Sequence, residues 1–149
     1  MAKPIPKLGV SKDNRQMHYA TGAVIKRSGK YLLIDRAIPP FGFACPAGHI
    51  DEGETPKQAL VREVEEEVGL KIEKFEKISE EELNWNRCSL GTDTHYWYLF
   101  SCEVSGEVKR SRGETKSAGW FSVEEIKKLK SEKKLEPVWE YWFEKIGVI

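Results

Sequence analysis

The stretch from Gly48 to Leu70, GHIDEGETPKQALVREVEEEVGL, constrains the chain more than any other. It specifies a helix, both of its ends, and a charge problem on one of its faces. Thr55 suits an N-cap, Pro56 the first helical position, and Gln58 completes a Thr-x-x-Gln capping box. Gly69 supplies the left-handed residue that ends the helix after Val68. At about 100° per residue, Leu60, Val61, Val64 and Val68 gather into one apolar stripe roughly 100° wide. Glu63, Glu66 and Glu67 stand at i, i+3 and i+4 and so share one patch. Glu67 lies only about 20° around the wheel from Leu60, which puts that patch on the border of the buried stripe. Three like charges repel there while the core restricts their solvation, so replacing Glu66 by Gln should relieve the metal-free helix. A hard divalent cation such as Mg²⁺ answers the repulsion, because it takes carboxylate oxygens. Just ahead, Gly48, Gly53 and Glu54 form a tight loop suited to bringing backbone oxygen and a further carboxylate to the same ion.

A solvated Glu-rich face is the usual meaning of an acidic run, but it leaves the spacing unexplained. From Gly48 the chain runs five residues to Glu54, seven more to Arg62-Glu63, then Val64, Glu66-Glu67, Gly69 and Leu70. This resembles the signature of the Nudix hydrolase family, G-x5-E-x7-R-E-U-x-E-E-x-G-U with U aliphatic, and every specified position matches. Seven fixed identities at a background of about 6% each make a chance match of order 10⁻⁹ per starting point. The resemblance implies an α/β (α+β) fold, an α/β/α sandwich with a central mixed β-sheet. It also implies hydrolysis of a pyrophosphate bond in a nucleoside diphosphate linked to another group X, with one to three Mg²⁺ or Mn²⁺ ions. By the same resemblance Glu66 and Glu67 are metal ligands, Glu63 is a ligand, the general base or both, and Glu54 and the Gly48 carbonyl complete the metal shell. Arg62 would orient its neighbouring carboxylates through charge-assisted hydrogen bonds. A further acid often reaches such sites from the loop before the last core strand, and Glu114, six residues before Trp120, suits that role as well as it suits an ordinary loop position.

Other residues are candidates by type alone. Arg36, Arg87 and Arg112 are phosphate or sugar contacts in prospect, since a guanidinium fork matches phosphate. Phe41, Phe43, Trp85 and Trp97 are candidates to stack on a base. His49 follows Gly48 but reads as structural, because oxygen donors dominate around Mg²⁺. His18 and His95 sit in strand patterns that need no special role for them.

With 149 residues the chain suits one domain, expected over residues 15–149 after a flexible polar arm at 1–14. Lys plus Arg and Asp plus Glu number 24 each, so the net charge carries no footprint for nucleic acid or a membrane surface. Cys45, Cys88 and Cys102 are odd in number and lack a C-x-x-C spacing, which indicates neither a disulfide framework nor a zinc site. No apolar run reaches transmembrane length and no hydrophobic leader opens the chain, so a reducing cytoplasm is the expected home. Residues 17–34 read as a β-hairpin turning at Arg27–Lys30. A strand is expected over 70–78, then a long polar connection over 79–92. THYWYLFSCEV, residues 94–104, reads as a central strand with Tyr96, Tyr98, Phe100 and Cys102 on one face and His95, Trp97 and Leu99 on the other. A short strand at 118–121 precedes a helix capped by Ser122 and Glu125, and a last helix starts near Pro137 with Val138, Trp142, Phe143 and Ile146 as its buried side.

Three readings follow. The first is a divalent-metal-dependent diphosphate hydrolase acting on a small-molecule nucleoside diphosphate derivative such as a nucleoside triphosphate, ADP-ribose or a nucleotide sugar. The second is a non-catalytic Nudix-fold nucleotide-binding module, against which the complete set of carboxylates speaks. The third is a Nudix-fold diphosphate isomerase relying on a Cys and a Glu. Hints at the substrate conflict. Pro46-Ala47-Gly48 occurs in members resembling ADP-ribose pyrophosphatases, yet no proline or tyrosine lies about sixteen residues past Leu70, where Asn84-Trp85-Asn86 stands. A homodimer is compatible with the family and left open by the residues.

Overall fold

The other strands assemble on one long strand, as a computed structural model describing residues 5–149 shows. In chain order the elements are β1 (Leu8–Val10), β2 (Gln16–Arg27), β3 (Lys30–Arg36), β4 (Phe43–Ala44), β5 (Ala47–His49), α1 (Pro56–Val68), β6 (Lys71–Leu83), β7 (Thr94–Ser105), β8 (Thr115–Phe121), α2 (Val123–Ser131) and α3 (Pro137–Lys145). One edge of β2 pairs in parallel with β7 from Met17 to Ile25. Its other edge is shared in succession by β1, β5 and β3. β6 lies outside β7, while β8 and β4 extend the sheet beyond β3. The hairpin turn places Ser28 and Gly29 at φ 51° and 78°, the left-handed pair that matches the twist of the two strands.

Period-two alternation along these strands builds two cores. Ala20, Val24, Leu33, Trp97 and Leu99 face α2 and α3, meeting Ile126, Trp139, Trp142 and Phe143. Ala23, Ile25, Leu32, Ile34, Phe100 and Cys102 face the other way onto Leu60, Val64 and Val68 of α1. The partition expected for β7 therefore holds, and the helices cover both faces of a mixed sheet. Val61 departs from the expected stripe and is 38% exposed. Trp139 joins the buried side of α3, while Ile146 caps its end, half-buried. α1 begins and ends as its sequence dictates. The Thr55 hydroxyl accepts from the Gln58 N–H, the Gln58 amide oxygen accepts from the Thr55 N–H, and Gly69 stops the helix at φ 68°.

Three expectations change. Part of the segment expected to be a flexible arm is built into the sheet as β1, while residues 1–4 lie outside the described region. β6 continues to Leu83, leaving only 84–93 as connection. It is an edge strand with a charged outer face, and its register slips between Ile72 and Lys74 and again between Lys77 and Ser79; both features erase the alternation that announces a strand. β8 starts at Thr115 rather than 118. No helix among the described residues is long and apolar enough to cross a membrane.

Gly22 sits where β2 passes under α3. A Cβ there would stand 2.8 Å from Trp139 Cη2 and 3.1 Å from Leu99 Cδ1, so the buried indole or the strand would have to shift. Gly22→Ala should lower stability by about 1–3 kcal/mol in urea unfolding; a cost below about 0.5 kcal/mol would show that Trp139 yields without strain.

Candidate active site

Glu63 and Glu67 leave α1 on the face that meets β5. At Gly48 an added Cβ would fall 2.1 Å from the Glu63 carboxyl carbon, so the carboxylate occupies the space a side chain at 48 would need. Glu67 is 4% exposed, and its Oε2 accepts a hydrogen bond of 3.2 Å from the Ala47 N–H. Burial holds both carboxyls above the ordinary range, Glu63 up to about 7, and neighbouring negative charge adds to it, from Glu66 and Glu114 at Glu63 and from Glu63 and Glu114 at Glu67. Arg62 opposes this for Glu63, and Arg36 opposes it for Glu67. Glu66 stands apart, its side chain 56% exposed and 3.3 Å from Arg62. The repulsion expected among the three glutamates runs through Glu63, which feels the charge of Glu66 and adds its own at buried Glu67.

Arg62 ties this arrangement together. Nε and Nη2 donate to the two oxygens of Glu54 at 2.8 and 2.9 Å, Nη1 donates to Glu63 at 2.8 Å and Glu66 at 3.3 Å, and Nη2 also donates to the His49 carbonyl at 3.0 Å. Asp51, 3.3 Å from the guanidinium, gives its N–H to Glu54 at 2.9 Å. Arg62 is therefore an organiser of carboxylates, and the resulting hydrogen bonds hold Glu54 below the ordinary carboxylate range. With both oxygens engaged, Glu54 supports the site through Arg62.

Between this acidic wall and α3 lies a cavity of about 320 Å³, at the small end of the roughly 300–1,000 Å³ typical of small-molecule sites. Of the residues singled out from the sequence, Gly48, Arg62, Glu63, Glu66, Glu67, Glu114, Arg36, Arg87 and Trp97 line it, as do His49, Cys88 and His95. Glu114 is exposed and adds negative charge to the fields at Glu63 and Glu67. Arg36 is anchored by its Nε to the Pro40 carbonyl at 2.7 Å. Glu54 lies outside the lining, and so do four of the phosphate- and base-contact candidates. Phe43 packs edge-on against Phe121 at 5.4 Å in the core margin. Trp85 is 48% exposed and leans on Tyr141 at 5.7 Å. Arg112 is exposed on its loop, and Phe41 sits at the surface beneath Lys116. Aromatic or cationic character did not decide position; the path of the strand or loop that carries each residue did.

The sequence reading missed Asp51, Glu136 and Trp139. Glu136, 4% exposed, meets the cavity from the N-terminal end of α3, and burial pushes its carboxyl up to about 7. Its signal is the acid directly before Pro137 at a helix start, but burial there comes only from the packing of α3 on β2 and β7.

The donors facing the cavity from α1 are carboxylate oxygens, the set hard cations take. Glu67 receives one recorded hydrogen bond beside a second, like-charged carboxylate. With Arg62 already committed to Glu54 and Glu63, the carboxylate oxygens of Glu63, Glu66 and Glu67 fit a hard divalent cation.

A family model described as the NUDIX domain matches residues 16–142. ADP-ribose pyrophosphatase of Methanocaldococcus jannaschii is 31% identical over 131 residues, covering 85% of this chain and 76% of that protein. NAD-capped RNA hydrolase NudC of Pseudomonas aeruginosa is 30% identical over 117 residues, covering 75% of this chain but only 39% of the relative; against NUDT12 of Macaca fascicularis the share is 21%. The chain thus spans well under half of these longer proteins. A NUDIX hydrolase structure from Nitrosomonas europaea superposes with TM-score 0.71 at 27% identity, covering 87% of each chain.

The raised Glu63 carboxyl makes a prediction about pH. Its proton is bound in the folded chain where the unfolded chain has already released it, so the associated stability is present below the ordinary value of 4.5 and is lost as pH rises toward about 7. In chelator, Glu63→Gln should show a shallower fall of Tm across that interval than the parent protein. Glu136 contributes to both curves alike. Parallel curves would mean that water reaches Glu63 well enough to cancel its burial.

Proposed function

The chain belongs to the NUDIX family, and from that premise we propose that it is a divalent-metal-dependent hydrolase cleaving the pyrophosphate bond of a nucleoside diphosphate linked to a second group X. The observation that carries this reading is the Glu63–Glu67 pair set against the β5 backbone, Glu63 half-buried and held by Arg62, Glu67 buried and held by the Ala47 N–H, both facing a cavity of small-molecule size. When bound, Mg²⁺ or Mn²⁺ would neutralise charge developing on the diphosphate and lower the pKa of an attacking water.

The chain's own residues do the rest. Arg62 fixes the rotamers of Glu63 and Glu54, so the acidic wall is set before substrate arrives and costs little reorganisation. Glu63, its proton affinity raised toward neutral pH by burial, suits a general base, while Glu114 is the second acid with access to the same space. Arg36 and Arg87 line the cavity and suit the phosphates or ribose. Trp97, backed by Trp139 at 6.2 Å, offers the apolar surface for the organic group. ADP-ribose and NAD come first among substrates, as nucleotides named in the relatives at 31% and 30% identity. Of the two cysteines open to the isomerase reading, Cys45 is wholly buried outside the cavity lining with its thiol pushed well up by burial, and Cys88 lines the cavity beside His18.

Three outcomes test this. Purified protein with Mg²⁺ or Mn²⁺ should release a nucleoside monophosphate or phosphate from at least one of ADP-ribose, NAD, nucleotide sugars, nucleoside triphosphates and dinucleoside polyphosphates. Silence across that panel would favour the binding module. Glu114→Gln should lower kcat by about 10²-fold with the fold intact; activity within about twofold of the parent would return Glu114 to the surface. Glu67→Gln should melt higher than the parent in EDTA, because it removes a buried like charge. In Mg²⁺ it should forgo most of the parent's gain, about 2.7 kcal/mol when the ion is at 100 times its Kd. Equal metal-induced shifts would remove Glu67 from the ligands.

A further inference from the structure

The three histidines that needed no role in the sequence meet on one face of the sheet. His18 of β2 stands directly beside His95 of β7. His49 of β5 pairs with Ala20, two residues further along β2, so strand alternation turns all three imidazoles the same way. Their ring centroids lie 4.9, 5.5 and 5.9 Å apart. The 84–93 connection then brings Cys88 over them, its Sγ 3.9 Å from His18 Nδ1. That connection is itself folded tightly, with the Cys88 N–H donating to Thr92 and the Gly91 N–H donating back to Cys88. One ligand atom from each of the four residues lies within 4.8 Å of all the others.

A separate observation indicates something to be bound. His95 is 2% exposed and its buried Nδ1 has no hydrogen-bond partner among the described residues, a costly condition for a polar atom in the interior. His95 offers one ring nitrogen within 4.8 Å of the ligand atoms of His18, His49 and Cys88. A neutral imidazole with a nitrogen free of protein partners is available as a metal ligand.

We propose that His18, His49, His95 and Cys88 form a second metal site, selective for Zn²⁺ and distinct from the carboxylate site on α1. Three imidazoles and a thiolate match the soft, tetrahedral preference of Zn²⁺ and are a poor match for Mg²⁺. Zn–N bonds of about 2.0–2.1 Å and a Zn–S bond of about 2.3 Å place tetrahedral ligand atoms roughly 3.3–3.7 Å apart. The cluster is therefore about an ångström wider than the bound geometry, a distance that ring rotations and the Cys88 rotamer close without moving strands. Alternation on β5 keeps the two metals apart: Gly48 faces Glu63 on the α1 side, and His49, the next residue, faces the opposite side. Four protein ligands leave no open position, which assigns the ion a structural task. It ties the 84–93 connection to β2, β5 and β7, and that connection carries Asn86, Arg87 and Ser89 into the cavity lining. Zinc would thus set one wall of the substrate cavity.

The test uses the full chain, stripped of metal and kept reduced. Zn²⁺ titrated against a chromophoric chelator in excess Mg²⁺ should bind as one tight equivalent. Co²⁺ in its place should give the intense visible bands of a tetrahedral ion together with a thiolate-to-cobalt charge-transfer band. Cys88→Ser should abolish the charge-transfer band and weaken Zn²⁺ by at least about 100-fold, no less than the loss of an outer-shell partner costs in other zinc sites. His18→Gln, on a different element, should weaken it likewise, so a folding defect in one variant does not decide the matter. Glu67→Gln should leave both readouts unchanged. Zn²⁺ should also slow hydrogen exchange across 84–93. Absence of tight Zn²⁺ binding, a charge-transfer band that survives Cys88→Ser, or one that disappears in Glu67→Gln would overturn the site. Unchanged exchange in the connection would overturn its task.

Discussion

A single guanidinium fixes the geometry on which the acidic wall depends. All five hydrogen bonds recorded from Arg62 end on groups of that wall: Glu54 twice, Glu63, Glu66 and the His49 carbonyl. Two carboxylates packed against one strand would otherwise swing apart, since burial and like charge both oppose their ionisation. The planar fork suits this task because its donors point in several fixed directions at once, which a lysine ammonium on a flexible stem does not reproduce. Glycine at 48 is the other half of the same constraint, because only a residue without Cβ lets the Glu63 carboxylate settle onto the strand.

The sheet supplies the precision. β2 pairs with four strands, so its alternation is imposed on β5, β7 and β3 together. One set of alternate residues makes the core under α1, and the other makes the core under α2 and α3. The same rule sorts chemistry as well as packing. It sends Gly48 toward the glutamates and His49 toward the imidazoles, so oxygen donors and nitrogen–sulfur donors are separated by one peptide. A one-residue slip of β5 against β2 would exchange these faces and destroy both arrangements.

The cavity is where the two faces meet. Its acidic side comes from α1 and the loop before β8; its apolar and cationic side comes from β3, β7, α3 and the 84–93 connection. An anionic diphosphate needs cations between itself and the glutamates, while an organic group needs the indoles opposite. Glu136, buried where α3 begins, adds a third acid whose proton affinity burial raises, within the field of Arg36.

The sequence by itself determined the elements whose signals are local. The capping box at Thr55, the left-handed Gly69, the apolar stripe of α1 and the alternation in THYWYLFSCEV depend on neighbours a few residues away, and each appears in the structure as its local chemistry requires. The acidic patch was legible for the same reason, since i, i+3 and i+4 on a helix are one place. Tertiary structure decided what depends on distant partners. It separated buried Glu67 from exposed Glu66, drew Glu114, Arg87 and Trp97 to the cavity while leaving Phe43, Trp85 and Arg112 outside, and extended β6 through residues whose charges hide a strand. It also assembled His18, His49, Cys88 and His95 from three strands and a connection. No periodicity within one element encodes such a cluster, because its spacing is set by the register between strands and by the path of the loop that crosses them.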